Sequence, residues 1–341
     1  MAGRRKFLKI AGATGIAGLT GLAGCTGGGD GDGGDGTSES GGTTTGTTSS
    51  GPTELTFTLT PAESDVDVKQ QYQPMFDYLE SEADVSISSS VAADYAAVYS
   101  SLESGQTDIA DAAPAIAIQS ADNDVAEVAG IRIAYGAAKY FSLITTLPDS
   151  GIDELADLEG ETVAFADRLS TSGSIFPLYM LKQAGLDTGG APNGTPNDFE
   201  GQWSDHSQAR ETLINRDPVV AAGTGAFSTA PNVPKDQFPQ EFLDMSAEND
   251  GDLGTESPEL ELLSCSNPIP RAPILIRSAL DSTVRSDVTD ALLAATEEDL
   301  INEDLGDDQQ LWFTGLSEGT VEDYQPVRDA FDELGVELGN A

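Results

Sequence analysis

The sequence predicts an α/β fold of two lobes, with mixed parallel sheets, a central cleft and two hinge crossings. Three observations predict it. Short apolar runs of strand type alternate with amphipathic runs of helical spacing, the pattern of parallel sheets covered by helices. The alternation restarts near residue 151, giving a second block. After residue 256 further strand and helix patterns read as a return to the first block. Lobe I is therefore assigned to residues 53–145 and 256–341, and lobe II to residues 146–255. In such architectures a small ligand binds at the carboxyl ends of the strands.

The elements follow in order. Leu55, Phe57 and Leu59 alternate in LTFTLT (55–60) and predict the first strand. Tyr72, Met75, Phe76 and Leu79 share one face of a helix, and DVSISSS (84–90) is a second strand. Asp94 is placed to cap the helix YAAVYSSLES, whose Tyr95, Val98, Tyr99 and Leu102 have helical spacing, and Gly105 is placed to stop it. TDIADAAP (107–114) predicts a third strand ending at Pro114, followed by apolar runs at 125–133 and 140–147. The second block predicts a helix over 151–158, a strand over 162–166, a helix from about 172, a strand near 199–204, a helix over 206–215 and a strand over 218–222. Strands over 259–266 and 272–277 and a helix through 286–300 complete the pattern.

Ser170, Thr171, Ser172 and Gly173 stand where a strand gives way to a helix. Hydroxyls there cap the first backbone N–H groups, or together with those groups hold an anion. The residues alone leave both readings open.

The amino-terminal region is of a different kind. GRRKFLKIAGATGIAGLTGLAGC begins with Arg4, Arg5 and Lys6, continues through small, mildly apolar residues and stops at Cys25. Residues 1–25 read as a twin-arginine signal ending in a lipobox-like Leu-Ala-Gly-Cys, with Cys25 as the lipid-modified first residue of the mature chain. Residues 26–52, rich in Gly, Thr, Ser and Asp and lacking apolar side chains, read as a disordered tether. The predicted location is extracytoplasmic, on the outer face of the cell membrane.

The chain carries 58 acidic residues against 16 basic ones, a formal net charge of −42. The carboxylates are spread along the sequence, as in a surface that stays hydrated in very high salt, where screening removes most self-repulsion. An extreme halophile is the expected source. With no basic patch, a nucleic-acid partner is excluded. Only Cys25 and Cys265 are present, so there is neither a disulfide framework nor a thiolate metal cluster, and Cys265 reads as a small buried hydrophobe. Lacking a nucleophile motif or metal-ligand cluster, and having a single histidine, the chain is not expected to be an enzyme or to carry a cofactor.

Several segments taken together, in order, carry a resemblance: Pro61-Ala62-Glu63; Asp94-Tyr95-Ala96-Ala97 followed by Gly105-Gln106-Thr107-Asp108-Ile109-Ala110; and Ser170-Thr171-Ser172-Gly173 with Pro177. Over roughly residues 55–300 the chain resembles the phosphate/phosphite/phosphonate-binding proteins of ABC transporters, which have the type II periplasmic-binding-protein fold. The resemblance implies that Ser170, Thr171 and Ser172 hold an oxyanion, with Tyr95 reaching in from lobe I, Tyr140 from a crossing strand and His206 from the start of a second-lobe helix. On the residues alone the two tyrosines read as core aromatics and His206 as a surface residue. All six are hydrogen-bond donors, as the oxygens of a phosphonate headgroup require.

Two departures stand out. AAPAIAIQS keeps Pro114 but lacks the glycine and aromatic ring usual beside it in the family. VVAAGTGAFSTA (219–230) has no carboxylate of the kind that holds an ammonium group. The expected ligand is therefore phosphate, phosphite or a small alkyl phosphonate, with Glu63 or Asp167 as acceptor for any ligand proton. The implied partners are an ABC permease and its ATPase, and the receptor is expected to be a monomer. The alternative reading is a sensor domain of the same fold for another small oxyanion.

Overall fold

The computed structural model describes residues 51–336 except 63, 65–66, 135, 216–217, 250–251, 302–304 and 307–309. The proposed signal, Cys25, nearly all of the tether and Glu63 lie outside the described residues.

The chain builds a six-stranded sheet first. β1 (Thr53–Leu59), α1 (Val68–Glu82), β2 (Val85–Val91), α2 (Tyr95–Glu103), β3 (Ile109–Asp111), α3 (Pro114–Asp122) and β4 (Ala126–Ile133) alternate strand with helix. β1 pairs in parallel with both β2 and β3. Leu55, Phe57 and Leu59 pack on Tyr72, Met75, Phe76 and Leu79 of α1, as their period-two and helical spacings require. A two-residue strand, β5 (Lys139–Tyr140), then leads out of this sheet.

The second sheet takes β6 (Ser142–Thr146), β7 (Thr162–Phe165), β8 (Glu200–Trp203) and β9 (Val219–Gly225), with α4 (Phe176–Gln183), α5 (His206–Asn215), α6 (Ala226–Thr229) and α7 (Gln240–Met245) around them, and closes with β10 (Glu261–Cys265). Its order is β10-β6-β9-β7-β8, parallel at β7/β8 and β7/β9 and antiparallel at β6. Phe141, Leu143, Ala164, Ala209 and Leu213 form its core. The chain returns through β11 (Ile269–Pro270), which pairs with β5. β12 (Pro273–Arg277), α8 (Ser282–Ala294), α9 (Glu297–Leu300), β13 (Gly315–Ser317) and α10 (Gln325–Leu334) follow, and β12 and β13 complete the first sheet antiparallel to β3 and β4.

These pairings set the two crossings at β5 and β11. β6 and β10 accordingly belong to the second sheet, although boundaries at 145/146 and 255/256 place most of β6 and all of β10 in lobe I. Strand patterning alone does not say which sheet an edge strand joins. α10 buries Val327, Ala330, Phe331 and Leu334 and lies against both α3 and α4, with Lys182 Nζ donating to the Glu333 carbonyl at 2.5 Å.

Three predicted elements differ, each for a local reason. Pro114 opens α3 rather than ending a strand, because a proline costs nothing at the first helical position. Over 151–158 only one tight turn forms, Leu155–Leu158: the Asp157 carboxylate accepts the N–H groups of Asp153 and Glu154, and Gly160 turns the chain at φ +82°. The helix over 286–300 breaks in two because Thr296, bonded to Asp299, caps a new helix, α9. Cys265 is half-buried rather than fully buried, and burial pushes its thiol up to about 12.

Candidate functional site

β7 ends at Phe165, and the chain turns on Asp167 before the next helix. The Asp167 carbonyl accepts Ser170 N–H and its carboxylate accepts Leu169 N–H, both at 2.8 Å. Ser170 is the cap: its Oγ accepts Gly173 N–H at 3.1 Å. The first turn, Thr171–Ile175, is a wide π turn in which Ile175 N–H reaches back to the Ser170 carbonyl at 3.1 Å, and α4 continues from it. Single wide turns of this type occur frequently at functional sites. It leaves the N–H groups of Thr171 and Ser172 at the mouth of the helix, where no intrahelical acceptor exists. Gly173 has no alternative residue here: a Cβ would stand 2.3 Å from Ala166 Cβ and 2.6 Å from His206 Cε1. Ser170 thus caps the helix start, and its two successors keep N–H groups without intrahelical partners.

Elements of the first sheet close over this helix start. Tyr95, the first residue of α2, is buried; its phenol lies beside Ser170 and its N–H donates to Asp167 Oδ2 at 3.4 Å. At the start of α3, Ala115 N–H donates to Thr171 Oγ1 at 3.2 Å. Tyr140, on the crossing strand β5, has its phenol beside Ser172 and Thr171. Two helix N-termini, those of α3 and of the Thr171 turn, therefore meet at one hydroxyl cluster, each carrying about half a positive charge, while that of α2 is met by the Asp94 and Asp167 carboxylates. The cluster itself is uncharged. Burial holds the Tyr95 phenol well above its usual range and pushes Tyr140 up to about 12, so both keep their protons.

His206 lies beneath the cluster. Asp205 caps α5 by accepting Gln208 N–H at 2.9 Å, which sets His206 at the first position of the helix, buried. Its Nδ1 accepts Gly225 N–H at 2.9 Å, and its Nε2 is 3.0 Å from Ser170 Oγ. Phe227 meets its ring edge-on at 4.8 Å. Burial, with Arg210 nearby, lowers the imidazole to about 3, so the ring is neutral.

All six predicted residues thus come together in one buried cluster: Tyr95 and His206 on Ser170, and Tyr140 on Thr171 and Ser172. The structure adds two features that the sequence reading missed, and a second role for Asp167. Ala115 N–H enters because Pro114 starts a helix, and proline just before small apolar residues at helical spacing was the available signal. Asp167 joins the two halves through Tyr95 N–H; burial raises its carboxyl above the usual range. Arg271, buried, stands with its guanidinium 6.0 Å from the Tyr140 ring centre and 3.5 Å from the Glu248 carboxylate. Nothing in the spacing around Arg271 announces that position. Among the described residues no group of His, Cys, Asp and Glu side chains is arranged to hold a metal ion.

Comparison with known proteins gives consistent relatives. A family model described as "ABC transporter, phosphonate, periplasmic substrate-binding protein" matches residues 57–324. A phosphate-import protein, PhnD, of Mycolicibacterium smegmatis is 30% identical over 144 residues, which is 41% of this chain and 45% of that protein. The match therefore spans about half the length of that relative. Among solved structures, the binding-protein component of an ABC phosphonate transporter from Pseudomonas aeruginosa superposes with a TM-score of 0.61 at 20% identity, over 82% of this chain and 85% of its own. PhnD1 from Prochlorococcus marinus in complex with methylphosphonate gives 0.63 at 13% identity, over 83% and 99%. At such identities the likeness speaks for a shared periplasmic-binding-protein fold.

Proposed function

This chain belongs to the family of periplasmic phosphonate-binding proteins of ABC transporters, and on that footing we propose that it captures phosphate, phosphite or a small alkyl phosphonate between its two sheets and presents it to a membrane permease. The observation that carries this is the convergence of two helix N-termini, three hydroxyls and two protonated phenols on one buried point. Such a point offers donors and partial positive charge, which suit the oxygens of a small anion. Ser170, Thr171, Ser172, Tyr95 and Tyr140 are the proposed contacts. The sheets act as two lobes, hinged at β5 and β11, and the ligand favours the closed arrangement by touching both. The family works as transport components, so the protein binds and hands over its ligand without converting it.

The ligand class is tested by calorimetry in high salt with phosphate, phosphite, methylphosphonate, 2-aminoethylphosphonate and sulfate. One of the first three should bind tightest. Tightest binding of the amino compound would overturn the reading that the 219–230 segment lacks an ammonium partner, and tightest binding of sulfate would overturn the phosphorus oxyanion.

The same reading places the protein on the outer face of the membrane, held by a lipid on Cys25 and working as a monomer in a very salty medium. Cys25→Ser protein is expected in the soluble extracellular fraction or unprocessed. Its retention on membranes through high-salt washes would remove the anchor assignment.

A further inference from the structure

His206 was expected to give its ring N–H to the ligand, but both ring nitrogens are engaged inside the protein. Gly225 N–H can only donate, so Nδ1 is an acceptor and the proton of the neutral ring is on Nε2. That proton points at Ser170 Oγ, 3.0 Å away. Ser170 Oγ also accepts Gly173 N–H at 3.1 Å. A hydroxyl has two lone pairs and one proton. With both lone pairs filled, Ser170 can take part in one further bond only as a donor. That proton is the one Ser170 has for a ligand oxygen.

We propose that His206 is a positioning residue that fixes the direction of a hydrogen-bond chain, from Gly225 N–H through the imidazole to Ser170, so that Ser170 is an obligate donor at the ligand site. The inference rests on the oxyanion reading of that site. It also extends it: a donor that cannot reverse recognises an unprotonated oxygen and rejects an isosteric ligand that presents an O–H at the same point. Packing supports the assignment. Gly173 lets the ring approach the helix start, since a Cβ there would stand 2.6 Å from His206 Cε1, and Phe227 closes its other side. The ring is thus held in place by contacts that do not involve a ligand.

His206 is the only histidine, so nitrogen-15 NMR of the full chain reads it without ambiguity. The expected spectrum has a protonated Nε2 and a bare Nδ1 at neutral pH, unchanged on adding inorganic phosphate. A proton on Nδ1, or an imidazolium when phosphate is added, would overturn the proposal. A double-mutant cycle then asks how the residue acts. His206→Leu should weaken phosphate, phosphite or methylphosphonate binding by roughly tenfold, the scale of one hydrogen bond, and His206→Gln, which keeps a donor near Nε2, should restore most of it. In a Ser170→Ala background the same His206→Leu change should cost less than about twofold, because its route to the ligand has been removed. An equal cost in both backgrounds means that His206 acts independently of Ser170, which overturns the relay. If none of these anions binds, the oxyanion reading fails, while the NMR result still decides the direction of the chain.

Discussion

Two buried polar clusters lie within the molecule, and they are built on opposite plans. In one, Asp111 at the end of β3 forms an ion pair with Arg132 on β4. Arg132 also donates to Tyr72 Oη at 2.6 Å and lies 4.6 Å from the centre of the Trp312 ring. Charge meets charge there, and the cluster is complete without a ligand. In the other, the helix start at Ser170–Ser172 gathers hydroxyls, phenols, backbone N–H groups and a neutral histidine. That cluster is uncharged but carries an excess of donors. The difference separates structure from function: a self-neutralised cluster has nothing left to offer an anion, whereas a donor-rich neutral one does. On the proposed reading, a chain with a net charge of −42 would draw an anion through local dipoles, in a medium whose salt screens the distant carboxylates.

Substitutions in the two clusters should therefore break different quantities, and the largest effect belongs to the ion pair. Arg132→Met leaves the Asp111 carboxylate buried without its partner, a loss of about 3–5 kcal/mol of stability. Burial already raises the Asp111 carboxyl, with Arg132 opposing that shift. Denaturant unfolding in high salt measures it, and a loss below about 1 kcal/mol would mean that the pair is far more hydrated than its burial indicates. In the cradle, Thr171→Val or Ser172→Ala should instead weaken oxyanion binding by about ten- to a hundredfold, the loss of one charge-assisted hydrogen bond of roughly 1.5–3 kcal/mol. Stability should fall by only about 1 kcal/mol. Unchanged affinity in both variants would leave the cluster a capping role alone.

The same contrast governs what the sequence made legible. The hydroxyl cluster was readable because it is local: three hydroxyls and a glycine at a strand-to-helix junction are contiguous, and Asp94 and Gly105 mark the helix that brings Tyr95. His206 was named as a residue, but its bonds inside the protein were not, since one of them is to Gly225 N–H, which nineteen positions of sequence separate from it. Asp111, Arg132 and Tyr72 gave no signal, because pairing between β3, β4 and α1 is a property of the assembled sheet. The crossings were counted correctly as two, yet their positions depend on which sheet β6 and β10 join, and alternation carries no such information. α3 was lost to a single proline read as a strand stop instead of a helix start. Signals that lie within one turn of chain survived; those that need a tertiary partner did not.

A pH titration isolates His206 and sets it apart from the charged cluster. The native imidazole titrates at about 3, against 6.5 for the unperturbed side chain. Between those values the unfolded chain binds a proton that the native protein does not, so lowering the pH favours unfolding. The stability contributed by the neutral ring is complete above about pH 6.5 and is lost as the pH falls toward 3, at up to about 1.4 kcal/mol per pH unit. Asp111 and Asp167 oppose this trend: burial raises their native carboxyls, so they favour the native state at low pH and lose that contribution as the pH rises through their native values. The wild-type curve mixes both signs. Subtracting the curve of His206→Gln removes the carboxylates, which both proteins share, and leaves the one histidine. The stability difference between the two should be constant above pH 7 and shrink between pH 6 and 4 at about 1.4 kcal/mol per unit. A difference that stays flat would mean that the imidazole takes up its proton in the native state as readily as in the unfolded one. Nδ1 would then carry a proton, and Gly225 N–H could not be donating to it.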